Sequence, residues 1–181
     1  MPSSCLEDDL IAALRLHGTL GGFFRNRREL FRSVVKTQAS KQRNASSSAL
    51  FLLRKNALPE IWYQLRTDEL LVHHAGASLT VRMIHPDGTC EEQAVGPEIM
   101  SGELPQCLVP AWTWRRLLLP EDGKSSEYSW GLYGSFVSPG FDPADYSETA
   151  EAELGKRVRP QGTTEDFISL PEEWKITPFF Q

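Results

Sequence analysis

From Ser47 to Val137 the sequence is a succession of strand-length apolar runs, each stopped by proline, glycine or a turn sequence. The runs cover 49–53, 61–65, 69–74, 79–84, 91–95, 107–109, 112–119 and 128–137. Between them stand Pro59, Ala75-Gly76, Pro86-Asp87-Gly88, Gly96-Pro97, Pro110, Pro120 and Pro139-Gly140. A chain punctuated this often cannot build long helices. Eight short strands at this spacing predict an all-β sandwich or barrel. Pro86-Asp87-Gly88 predicts a tight hairpin, because proline presets one turn angle and glycine accepts the positive φ.

The 181 residues suit one domain with short appendages. The longest apolar run, 49–53, is far too short to span a membrane. Lysine and arginine number 19 against 24 for aspartate and glutamate, a net charge of −5. That balance argues against a nucleic-acid partner. Cys5, Cys90 and Cys107 are an odd number in no zinc spacing, so a reducing, cytoplasmic setting is expected.

Leu6, Leu10, Ile11, Leu14 and Leu16 recur at helical spacing and predict a short N-terminal helix, ended by Gly18 and Gly21-Gly22. Phe23-Phe24-Arg25 reads as a first strand, and the basic, polar stretch 36–48 as a surface loop. Residues 142–146 start a short helical turn capped by Asp142, and 148–155 read as helix. Phe167, Trp174, Ile176, Phe179 and Phe180, broken by prolines, suggest an extended C-terminal arm that packs on the barrel or on a second subunit. The expected organisation is therefore 1–22 helix and turn, 23–146 barrel, and 147–181 helix or arm.

Six motifs in order give the chain a family resemblance. Gly21-Gly22-Phe23-Phe24-Arg25 resembles "EGGYFRE", and the run from Ser46 to Leu53 resembles "SASTAIYFLL". Arg66-Thr67-Asp68-Glu69-Leu70 resembles "RSDEL", and His85-Pro86-Asp87-Gly88 matches the family hairpin. Val109-Pro110-Ala111 with Trp114 resembles "VPAGVWQ", and the stretch from Ser138 to Tyr146 resembles "APGFDFADFE". Over roughly residues 6–150 the chain thus resembles the DUF985 (cupin_5) branch of the RmlC-like cupin superfamily. The resemblance implies a cupin jelly-roll, a double-stranded β-helix with a pocket at one end, and a homodimer. Cupins commonly hold a metal through His-x-His, a glutamate four residues on, and a third histidine on a later strand. Aligned on the shared motifs, those positions hold Tyr63, Leu65, Glu69 and Arg115 here. The resemblance therefore implies a cupin with no metal centre and no other cofactor. Leu20, Leu71 and Trp112 also replace the family's glutamate, tryptophan and "VPAG" glycine.

Alternation along a strand sets the expected pocket. If Glu69 points inward, Leu71 and His73 do too, and Tyr63 and Leu65 share the inner face of the preceding strand. Trp112 and Trp114 share a parity, so one or both are expected to reach the barrel mouth, with Arg115 a further candidate for the pocket. Glu69, His73 and Tyr63 are the candidates for proton transfer. Leu65, Leu71, Trp112, Trp114 and Arg115 are the candidates for ligand contact. Glu69 has a plain structural alternative, a salt bridge to Arg66 or Arg115. The leading expectation is a metal-independent cupin that binds a small organic metabolite. The alternatives are a metal-free isomerase, epimerase or cyclase and a non-catalytic interaction protein. No nucleic-acid or membrane partner is expected.

Overall fold

The structure, a computed structural model, describes residues 3–17, 27–38, 42–54, 61–119, 128–151 and 153–154. One helix, α1 (Ser3–Ala13), precedes ten strands among these residues. They are β1 (Arg27–Arg32), β2 (Ser47–Arg54), β3 (Ile61–Leu65), β4 (Asp68–Gly76), β5 (Leu79–Ile84), β6 (Cys90–Val95), β7 (Gln106–Val109), β8 (Trp114–Leu118), β9 (Trp130–Ser138) and β10 (Tyr146–Ala150). They form two antiparallel five-stranded sheets, ordered β1-β2-β9-β4-β7 and β10-β3-β8-β5-β6. Apart from the consecutive pairs β1–β2 and β5–β6, neighbours in each sheet come from separate parts of the chain, as in a jelly-roll.

Period-two alternation explains how the two sheets share a core. On β2 and β9, Ala49, Phe51, Leu53, Tyr133 and Val137 are buried. Ala49, Phe51, Leu53 and Tyr133 join Tyr63, Leu71, Val81, Met83 and Leu117 in one cluster between the sheets. The opposite parity forms two covers. Leu52, Trp130 and Leu132 lie on the outer face of the first sheet with Leu10, Ile11 and Leu14 packed on them, so α1 is held by its apolar stripe. Trp62, Ile84 and Trp114 lie on the outer face of the second sheet with Leu154. Among the described residues no helix is long and apolar enough to cross a membrane.

The Pro86-Asp87-Gly88 turn closes the β5–β6 hairpin as expected. The His85 N–H donates to Thr89 O at 2.9 Å, Asp87 Oδ1 accepts from Thr89 N–H at 2.9 Å, and Gly88 takes φ 89°. Asp142 caps a 3-10 turn (Pro143–Asp145) by accepting from the Ala144 N–H at 3.0 Å.

Two expectations need correction, and one strand has no counterpart in the sequence reading: Arg27–Arg32, ahead of the expected 36–48 loop, is a paired edge strand, where charged side chains can stay in water. Residues 146–150 are not helix but β10, which pairs with β3; helical geometry begins only at Glu151. The barrel therefore extends beyond residue 146. The run expected over 112–119 enters the sheet at Trp114. The expected strand at Phe23-Phe24-Arg25 and the C-terminal arm lie outside the described residues.

Candidate functional site

A cavity of about 230 Å³ opens between the two sheets. Its apolar wall comes from Ala49, Phe51, Leu65, Val137, Phe141 and Pro143. Its polar groups are Arg27, Ser47, Ser48, Tyr63, Glu69, Ser135, Tyr146 and Glu148. Register explains the convergence: Tyr63 pairs with Glu148 and with Arg115, Leu65 with Tyr146, and Glu69 with Val137. Inner-face residues of β2, β3, β4, β9 and β10 thus meet in one place.

Glu69 is 4% exposed and fully engaged. Arg115 Nε donates to its Oε2 at 2.9 Å, and Arg115 Nη2 lies 2.7 Å from the same oxygen. The Tyr63 hydroxyl donates to Oε2 at 3.3 Å, and the Ser135 hydroxyl donates to Oε1. Arg115 itself is 0% exposed; its Nη1 donates to Thr113 O at 3.0 Å and its guanidinium carbon lies 4.7 Å from the Tyr63 ring centroid. A carboxylate this deep is costly unless paired, and here it meets charge and hydrogen bonds together.

The donor set does not fit the metal that cupins commonly hold. The guanidinium of Arg115 stands against Glu69, and both carboxylate oxygens are already acceptors of protein hydrogen bonds. Tyr63 and Leu65 offer no imidazole. Among the described residues, no group of three His, Cys, Asp or Glu side chains converges.

The other expected site residues separate. Tyr63 and Leu65 line the cavity with Glu69, and Arg115 backs it. Leu71 is 0% exposed in the core cluster and does not reach the cavity. His73 shares the parity of Glu69 but sits four residues along β4, about 13 Å at strand rise. Its Nε2 lies 3.2 Å from Gly76 O instead. Trp114 has the opposite parity and is buried on the outer face with Trp62. Trp112 stands in the turn before β8, half exposed, with Arg66 5.3 Å from its ring centroid. Its φ of 65° is the left-handed conformation that a glycine adopts freely and a tryptophan rarely does, at the position where the resembled motif has glycine.

The sequence reading missed Arg27, Ser135, Phe141, Tyr146 and Glu148 in the cavity wall. Parity on the expected strand 128–137 could have given Ser135. Arg27, Tyr146 and Glu148 were hidden because β1 and β10 were not read as strands.

Burial, then the charge of Glu69, holds the Tyr63 phenol well above its usual range. Burial, then Tyr63, does the same for Tyr133. Burial and the hydrogen bond to Glu148, 2.7 Å long, raise Tyr146. All three therefore remain hydrogen-bond donors at neutral pH. A folded-state value raised above the ordinary value of 10.0 stabilises the fold below that pH, and the contribution is lost as pH rises past it. In an alkaline titration, tyrosinate absorbance from these groups is expected to appear together with unfolding. Full ionisation with circular dichroism unchanged would contradict their burial.

Residues 8–149 match the family model described as Cupin superfamily (DUF985). The chain belongs to that family. A hypothetical protein from Leishmania major matches at 26% identity and a TM-score of 0.75, over 86% of this chain and 93% of its own. A crystallised protein from Shewanella oneidensis matches at 32% identity and a TM-score of 0.68, over 81% of this chain and 86% of its own. No curated protein matches the sequence. Family membership fixes the cupin barrel and leaves its chemistry to the residues above.

Proposed function

We propose that this cupin binds a small organic molecule in the cavity between its sheets, without a metal. The supporting observation is the cavity itself: an apolar wall around a few fixed polar groups, with Glu69 neutralised from behind by Arg115. Ala49 projects into the space, so Ala49→Leu fills part of it. Its stability is expected to stay within about 1 kcal/mol of the parent. Ligand retention, read by native mass spectrometry of the full chain, is expected to fall. Retention unchanged in a folded Ala49→Leu variant would move the ligand elsewhere.

The Tyr63–Glu69 contact at 3.3 Å favours a second reading, in which this pair transfers a proton on a bound substrate. Tyr63→Phe would then abolish turnover while leaving binding intact.

We also infer a homodimer. Phe31, Ser48, Phe136, Leu70 and Leu108 are successive register partners across all five strands of the first sheet. Phe31, Phe136 and Leu108 are 52%, 44% and 58% exposed on its outer face, beyond the part that α1 covers. Such a row in water is a docking liability. Phe136→Asp is expected to halve the mass measured by light scattering; an unchanged mass would remove this face from the dimer.

A further inference from the structure

Arg27 is a cavity cation whose counter-charge among the described residues is shared and distant. The Arg27 side chain is only 16% exposed. Among the described residues its one carboxylate within 4 Å is Glu29, 3.7 Å from Arg27 Nη2. Glu29 is already held by Arg32, whose Nε and Nη2 donate to its two oxygens at 3.1 and 2.7 Å. The Arg27 side chain donates no hydrogen bond among the described residues, and burial is the main influence lowering its pKa. The rings of Phe51 and Phe141 lie 5.8 and 5.5 Å from its guanidinium carbon. Such cation–ring contacts use the charge without using the N–H donors, which project in the guanidinium plane.

The other charges on the cavity do not fill this role. Glu69 is taken by Arg115, Tyr63 and Ser135. Glu148 is exposed and accepts from the Tyr146 hydroxyl, so water screens its charge far better than that of Arg27. A largely buried guanidinium beside an aromatic wall, its donors unused among the described residues, is matched by a planar or tetrahedral oxyanion.

Resting on the pocket-binding reading, we propose that the ligand is a small organic anion, its carboxylate or phosphate held by Arg27 and its apolar body against Phe51 and Phe141. The Glu69–Ser135 end of the cavity then faces the uncharged part of the ligand.

The test uses the full chain and matched fragments: arylacetates, the corresponding uncharged arylacetamides, and aryl phosphates of the same ring. Affinities are read by NMR titration in wild type and in Arg27→Gln and Arg27→Lys. At least one anionic series is expected to bind about tenfold or more tightly than the amides. That preference is expected to vanish in Arg27→Gln and to be partly kept in Arg27→Lys. The stronger of the carboxylate and phosphate series identifies the oxyanion. Amides binding as well as acids in wild type would overturn the proposal while leaving the pocket reading intact. A preference that survives Arg27→Gln would overturn it too. If fragments of neither kind shift cavity residues, the pocket reading fails and this proposal falls with it.

Discussion

Replacing Arg115 by methionine is expected to destabilise the fold by about 3–5 kcal/mol, the usual cost of leaving a buried charge without its partner. Methionine keeps most of the volume, so the loss is electrostatic rather than a packing defect. Among the described residues Glu69 would keep only the Tyr63 and Ser135 donors. Glu69→Gln is expected to destabilise for the mirror reason, because Arg115 is 0% exposed and its guanidinium would face a neutral amide. The double variant Glu69→Gln/Arg115→Met is expected to lie closer to wild type than the sum of the single losses. Denaturant unfolding of the four proteins measures this. Additive losses would mean that the pair is not coupled.

The second large effect separates the core from the cavity. Leu71→Ala is expected to cost about 2–5 kcal/mol, since Leu71 is 0% exposed in the inter-sheet cluster and a void there cannot collapse freely. Ligand affinity of the folded fraction is expected to be unchanged. A variant of parental stability but weakened binding would return Leu71 to the cavity wall, where the sequence reading had placed it.

Much of the barrel was legible because its strands are bounded by residues that cannot continue them. The expected runs over 61–65 and 79–84 coincide with β3 and β5. Strand parity then placed Tyr63, Leu65 and Glu69 together, and the structure has them on one cavity wall. Parity says nothing about depth along a strand, so His73 was grouped with Glu69 although it lies far down β4. Nor does it say which of two packed faces an aromatic residue serves. Trp114 is buried, but beneath Leu154 rather than in the barrel.

The misses have a common physical origin. The Arg-Arg-Glu-Leu-Phe-Arg sequence of β1 has no clean alternation, because an edge strand with one neighbour can carry charges toward solvent. β10 follows a capped 3-10 turn whose Pro-Ala-Asp sequence suggests a helix start. Its strand state is fixed by non-local pairing with β3, which no local pattern reveals. These two strands bring Arg27, Tyr146 and Glu148 to the cavity, so the cation at its rim was the feature least accessible to the sequence.

The central claim is that the space between the sheets is where this cupin meets its ligand. Methyl NMR of the full chain during a fragment titration tests it most directly. Ala49, Leu65 and Val137 line the cavity, whereas Leu117 and Val81 lie in the core without lining it and Leu108 lies on the outer face. The largest shifts are expected at Ala49, Leu65 and Val137, with Leu117, Val81 and Leu108 nearly still. Shifts concentrated at Leu108, or binding that leaves the methyls of the three cavity residues unmoved, would contradict the account.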